Sequence, residues 1–73
     1  MENIFLEKLT EILDTQLNLD MDINLGNIEE WDSLGMVSFI AMADVEYGKK
    51  VIFSDLKNAQ TVRDLYMLVK SEG

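Results

Sequence analysis

A single serine stands where this chain could do chemistry. It lies in Trp31-Asp32-Ser33-Leu34, followed by Gly35-Met36-Val37. The stretch closes an acidic loop and opens an apolar run, so Ser33 falls at the expected start of a helix. A serine there can cap the helix by accepting a hydrogen bond from an amide of the first turn. Its hydroxyl can instead carry a phosphate, whose charge would face the free N–H groups and the positive dipole end. The first role is scaffolding and the second is attachment; the tripeptide alone leaves both open.

The rest of the chain offers little other chemistry. There is no cysteine, hence no disulfide and no protein thiol. There is no histidine, which removes the usual base near neutral pH and the commonest metal ligand. Glu29, Glu30 and Asp32 are close in sequence, but acid–base catalysis needs positioned groups with separated pKa values in a pocket. No pocket is legible, so no enzyme activity and no catalytic residue is expected. Asp20-Met21-Asp22-Ile23-Asn24-Leu25-Gly26-Asn27-Ile28 resembles the start of an EF-hand calcium loop, with oxygens at the first, third and fifth positions. The register then fails: Leu25 stands where glycine is required, and Trp31 where a bidentate Glu is needed. Weak divalent binding by the loop fits this pattern better than a dedicated metal site.

The elements that must position Ser33 follow from hydrophobic spacing. Phe5, Leu6, Leu9, Ile12, Leu13 and Leu17 recur at helical intervals and predict a helix over 3–17. Residues 18–32 are rich in Asp, Asn and Gly, which favour turns. Leu19, Met21, Ile23, Leu25, Ile28 and Trp31 alternate with them, so a strand fits by period; a loop pinned by its apolar side chains fits better. A loop of this length in so small a domain tends to be functional. A second helix is predicted over 33–47, stopped by Gly48. It is apolar most of the way round, so it is buried on more than one side or meets a partner. Met36, Phe39 and Met42 read as core. A short helical turn is predicted at 54–57, with Lys49-Lys50 before it as a solvated turn. Thr61-Val62-Arg63-Asp64 is a capping-box pattern opening a last helix to about residue 71. The fold class is all-α: a small bundle of three main helices plus one short helix.

The chain has 73 residues, one small domain over 1–73 with a thin core. Its hydrophobic share of 48% is that of a globular chain rather than a disordered one. Fourteen acidic and six basic side chains give a net charge of −8, which disfavours nucleic acid and favours a basic protein patch as complement. The start, Met1-Glu2-Asn3-Ile4, does not read as a signal peptide, and no stretch has the length of a membrane span. A cytoplasmic monomer is the expectation.

Trp31-Asp32-Ser33-Leu34 before an apolar helix resembles the attachment motif of acyl carrier proteins, a family that includes peptidyl and D-alanyl carriers. The remaining features come in family order: first helix, acidic loop, motif, a helix ending at Tyr47-Gly48, and a short turn. Ala59-Gln60-Thr61-Val62-Arg63-Asp64-Leu65 resembles the opening of the family's last helix. The resemblance covers essentially the whole chain and implies 4′-phosphopantetheine on Ser33, transferred from coenzyme A by a phosphopantetheinyl transferase. Its thiol would hold an acyl group as a thioester, which suits a chain without cysteine.

On this resemblance Asp32 and Leu34 join Ser33 as the cofactor-binding set. Asp32 would take over the cap once the serine is esterified, Leu34 would bury and hold the motif, and Gly35 would leave open space beside the arm. Met36, Val37, Asp44 and Glu46 of the second helix become the expected contacts to acyl-loading and acyl-transferring enzymes. Gly35 and Ser38 stand where fatty-acid carriers commonly have acids, and Val45 interrupts the last acidic cluster. These departures imply partners with apolar as well as basic docking patches. A share of the Met36, Phe39 and Met42 stripe would alternatively line a tunnel for an acyl chain. Within the family a peptidyl or D-alanyl carrier stands as the alternative; from a different class, a small calcium-binding or helical adaptor does.

Overall fold

The computed structural model describes residues 2–70 and contains four α-helices. They are α1 (Glu2–Leu13), α2 (Ser33–Tyr47), α3 (Phe53–Asn58) and α4 (Val62–Lys70), with a 3₁₀ turn at Leu25–Asn27 in the long loop. Among the described residues there is no strand; one isolated antiparallel bridge joins Asn24 to Thr61. The all-α expectation holds.

The helices are held by a core in which Phe5, Leu9, Phe39, Leu56, Val62 and Leu65 are fully buried. At least one residue from every α-helix is in that set, so no helix stands apart. Phe5 is the hub: its ring meets Phe39 at 6.2 Å and Tyr66 at 5.2 Å, both edge-on. This is the geometry that aligns a ring edge with a neighbour's face. Trp31 extends the cluster into the loop, its ring 5.9 Å from Phe39 and steeply inclined to it. The residue two positions before Ser33 is thereby anchored to the core.

The first helix ends four residues earlier than its spacing predicts. Asp14 adopts a left-handed φ of 53°, and its amide and that of Thr15 fold back onto the carbonyls of Glu11 and Thr10. Aspartate tolerates this conformation better than most side chains. Leu17, expected on the apolar stripe of the helix, is 44% exposed in the following turn. The loop itself is pinned as expected: Met21, Leu25 and Ile28 are buried. Its backbone is also tied to the start of α4, through Leu25 N to Gln60 O at 2.8 Å, Val62 N to Ile23 O at 3.1 Å and Arg63 N to Met21 O at 2.8 Å.

The second helix has the predicted limits. Gly48 takes the left-handed φ of 65°, and the amides of Gly48 and Lys49 donate to Asp44 and Ala43 carbonyls, closing the helix end. α3 runs one residue further at each end than the predicted turn.

The last helix opens with the anticipated reciprocal cap. Thr61 Oγ1 accepts from the Asp64 amide, while Asp64 Oδ2 accepts from the amides of Gln60 at 2.8 Å and Thr61 at 3.2 Å. The predicted end near residue 71 falls outside the described residues. Those two amides hold the Asp64 carboxyl below its ordinary value of 3.8. A carboxyl depressed on folding adds stability above its unfolded pKa and loses it as pH falls through the folded one. The melting-temperature gap between the parent and Asp64→Ala is therefore expected to be largest near neutral pH. It should shrink as pH drops below about 4. A gap unchanged between pH 7 and about 2.5 would show that the carboxylate's charge adds nothing to this cap.

Candidate functional site

The site is the junction where the acidic loop becomes α2. Ile28 is buried, the Trp31 amide donates to its carbonyl at 3.0 Å, and the Trp31 ring rests on Phe39. The chain therefore reaches Asp32 in a fixed direction. Asp32 is extended (φ −120°, ψ −167°) and is the N-cap, with Oδ1 accepting from the Gly35 amide at 2.9 Å. Its carbonyl accepts the first helical bond, from the Met36 amide at 2.8 Å.

Ser33 is the first residue of α2 and is exposed. Its hydroxyl makes no hydrogen bond among the described residues, and the amides of Ser33 and Leu34 have no protein acceptor there. The cap alternative for Ser33 is thus taken by its neighbour. The site presents a free hydroxyl beside two free N–H donors at the positive end of a four-turn helix, a donor set that suits a phosphodiester.

Asp32→Ala should cost about 0.5–2 kcal/mol, the usual range for deleting an N-cap side chain. Urea denaturation of the variant checks this, and no loss would mean the helix start is held by the loop alone.

Two neighbours of Ser33 differ from expectation. Leu34, expected to bury, is 67% exposed, because its side chain leaves α2 on the side away from Phe39, Met42 and Ala43. Gly35, expected to leave open space, is buried. A Cβ there would lie 2.5 Å from the Glu30 carbonyl oxygen and 2.9 Å from Leu13 Cδ2. Glycine lets the loop backbone close onto the first turn of α2, so the absent side chain is filled by protein.

The other candidates spread along α2. Met36 is partly buried against the core and Val37 is half exposed. Asp44 faces Lys50 at 3.5 Å, so the turn lysine is an ion-pair partner as well as solvated. Glu46 meets Lys8 of α1 at 3.0 Å, and this contact holds the Lys8 ammonium above its ordinary value. The acids near the end of α2 are thus partly neutralised from within. Residues 33–43 of α2 carry no charged side chain.

Sequence reasoning missed the continuation of the exposed face. Leu34, Val37, Ala41 and Val45 are all exposed, at intervals of three and four residues that place them on one stripe. The signal was available once Met36, Phe39, Ile40, Met42 and Ala43 are given to the core side: Leu34, Val37, Ala41 and Val45 are left as a second stripe.

The EF-hand-like segment uses its oxygens locally. Asp20 Oδ1 accepts from the Asp22 amide, Asn24 Oδ1 from the Gly26 amide, and Asp22 Oδ1 pairs with Arg63 at 3.1 Å. Among the described residues no three acids cluster as a metal site would require.

A solved structure from Mycobacterium tuberculosis, provisionally assigned as an acyl carrier protein, is similar to this chain with a TM-score of 0.78. The two are 26% identical, and the match covers 94% of this chain and 93% of that one. No protein-family model matches the chain, and no curated protein sequence matches it.

Proposed function

We propose that this chain, whose helical fold is that of the acyl carrier protein-like structure it matches, carries 4′-phosphopantetheine on Ser33. The observation that supports the reading most is the division of labour at the helix start. Asp32 supplies the cap, and the Ser33 hydroxyl is left exposed and unbonded. A serine needed for capping would be compromised by esterification; this one would not. The free amides of Ser33 and Leu34 offset the charge of a phosphodiester, and Trp31 and Gly35 hold the loop that presents it. The cofactor, received from coenzyme A through a phosphopantetheinyl transferase, supplies a thiol that holds an acyl group as a thioester. The chain itself does no bond chemistry on the cargo. It delivers the acyl group between separate enzymes of fatty acid, polyketide or related lipid biosynthesis.

Partner enzymes meet α2, the helix that starts at the attachment point. Val37 lies on its exposed apolar stripe, and Asp44 and Glu46 offer a charge already shared with Lys50 and Lys8. Docking then rests more on apolar contact than on charge, and its affinity should change little with salt.

The test is an intact-mass spectrum after incubation with coenzyme A, magnesium and a broad-specificity phosphopantetheinyl transferase. A gain of one phosphopantetheine supports the reading; no gain with several transferases overturns it.

A further inference from the structure

The net charge of −8 is not spread over the chain. Residues 1–32 hold nine of the fourteen acidic side chains and one of the six basic ones, and residues 33–73 hold five of each. The whole excess therefore belongs to α1 and the loop after it. The one cation there, Lys8, is bound to Glu46 of α2, and Arg63 of α4 takes Glu2 and Asp22. With those two taken, the other seven acids of the segment face no cation at ion-pair distance among the described residues.

Two hollows open on this part of the surface, and Leu17 borders both. One, about 570 Å³, has Leu6, Leu17 and Leu19 as apolar wall, with Glu7 and Glu11 one helical turn apart on α1. The other, about 420 Å³, is bordered by Leu17 and by Glu29 and Glu30. Glu30 Oε1 is buried with no donor, so that carboxylate is short of a hydrogen bond. Leu17 is brought to the surface by the helix stop. Had α1 continued, Leu17 would lie on its buried stripe. The left-handed Asp14 ends the helix instead, and buried Thr15 accepts from the Leu17 amide at 3.2 Å, which holds the turn. The result is an exposed leucine between two pairs of carboxylates.

We propose that this face docks a basic amphipathic helix of a partner protein. An aliphatic side chain seats against Leu17, and lysines or arginines on either side of it meet Glu7 and Glu11, and Glu29 and Glu30. A helix whose apolar stripe is bordered by cations presents the same order of charge, apolar centre and charge. The stems of those cations lie on apolar surface while their heads reach the carboxylates, which covers Leu6 and Leu19 as well. The segment that holds the whole net charge also draws the partner in, so association is fast and sensitive to salt. The exposed stripe of α2 has no charged side chain over 33–43, so the two faces select partners of different chemistry. This docking face stands on α1 and the loop and does not depend on attachment at Ser33.

The test uses the full, unloaded chain and a synthetic helical peptide with leucines along one side and lysines bordering them. Saturable amide NMR shifts are expected at Glu7, Glu11, Leu17, Glu29 and Glu30. Binding should weaken about ten-fold between about 50 mM and about 500 mM NaCl. Leu17→Ser changes no charge; it should keep the helical circular-dichroism signal and weaken binding about ten-fold. A peptide of the same composition with its leucines scattered should lose about as much on the unaltered chain. Glu7→Gln with Glu11→Gln should weaken binding about five-fold. Ile52→Ser, at an exposed apolar position before α3, should change nothing. Unchanged affinity in Leu17→Ser, or for the scattered peptide, would reduce the contact to bulk charge attraction and overturn the proposal. Shifts centred on Val37 and Val45 of α2 would overturn it too, as would no binding below about 1 mM.

Discussion

Ser33→Ala is expected to accept no phosphopantetheine and to melt within about a degree or two of the parent, since exposed substitutions away from a cap usually stay within about 0.5 kcal/mol. The pairing of the two results is what carries weight. Removing an N-cap side chain ordinarily costs about 0.5–2 kcal/mol, so a capping serine could not be replaced silently. Here the cap is Asp32, bonded to the Gly35 amide at 2.9 Å, and Ser33 is an exposed first-turn residue. Alanine is also a good helix former, which leaves no local reason for a loss. Intact mass and thermal melts on the same preparations check both halves. A mass gain in Ser33→Ala would move attachment to another serine. Ser38 is partly buried within α2, Ser54 is exposed in α3, and Ser71 lies outside the described residues. A clear loss of stability would show that Ser33 bears part of the cap after all.

The limits of α2 were legible because both ends are written in side chains. Asp32-Ser33 can start a helix and Gly48 can stop one, and each acts through atoms within a turn of itself. The same holds for Thr61 and Asp64 at the start of α4. The end of α1 was not legible in this way. Leu13 and Leu17 keep the helical interval, so spacing argues for continuation. What stops the helix is a left-handed Asp14, a conformation no apolar pattern records.

The burial of Leu34 was misread for a related reason. Periodicity finds the inner face of a helix only when the other face is polar, and α2 has apolar residues all round. Position then depends on what packs against it: Phe5 and Trp31 choose the side holding Phe39, and Leu34 is left outside. The attachment motif itself was visible as a tripeptide in the right place. Its division into a capping Asp32 and a free Ser33 was not, because either side chain can cap and only the backbone direction set by Trp31 decides.

Gly35→Ala and Gly35→Val separate a glycine that merely weakens a helix from one that makes room. Intrinsic propensity alone says alanine should stabilise α2 by about 1 kcal/mol. The structure says otherwise, since the new Cβ would fall 2.5 Å from the Glu30 carbonyl oxygen and 2.9 Å from Leu13 Cδ2. The Leu13 methyl can swing aside. The Glu30 carbonyl cannot move without shifting the backbone that leads through Trp31 to Asp32 and Ser33. Overpacking of this kind typically costs about 1–3 kcal/mol, which outweighs or at least cancels the propensity gain. Gly35→Ala is therefore expected to lose up to about 2 kcal/mol. Gly35→Val, with two further methyl groups and a poorer helix former, should lose about 3 kcal/mol or more. That is a large fraction of the roughly 4–11 kcal/mol expected for a domain of this length. Loading by the transferase should fall in Gly35→Ala even at a temperature where it is fully folded, because the displaced backbone is the one that aims Ser33. Urea denaturation gives the first quantity and initial loading rates at low temperature give the second. Equal or greater stability in Gly35→Ala would mean that the loop yields freely. The close approach at Glu30 would then have no part in holding the attachment site.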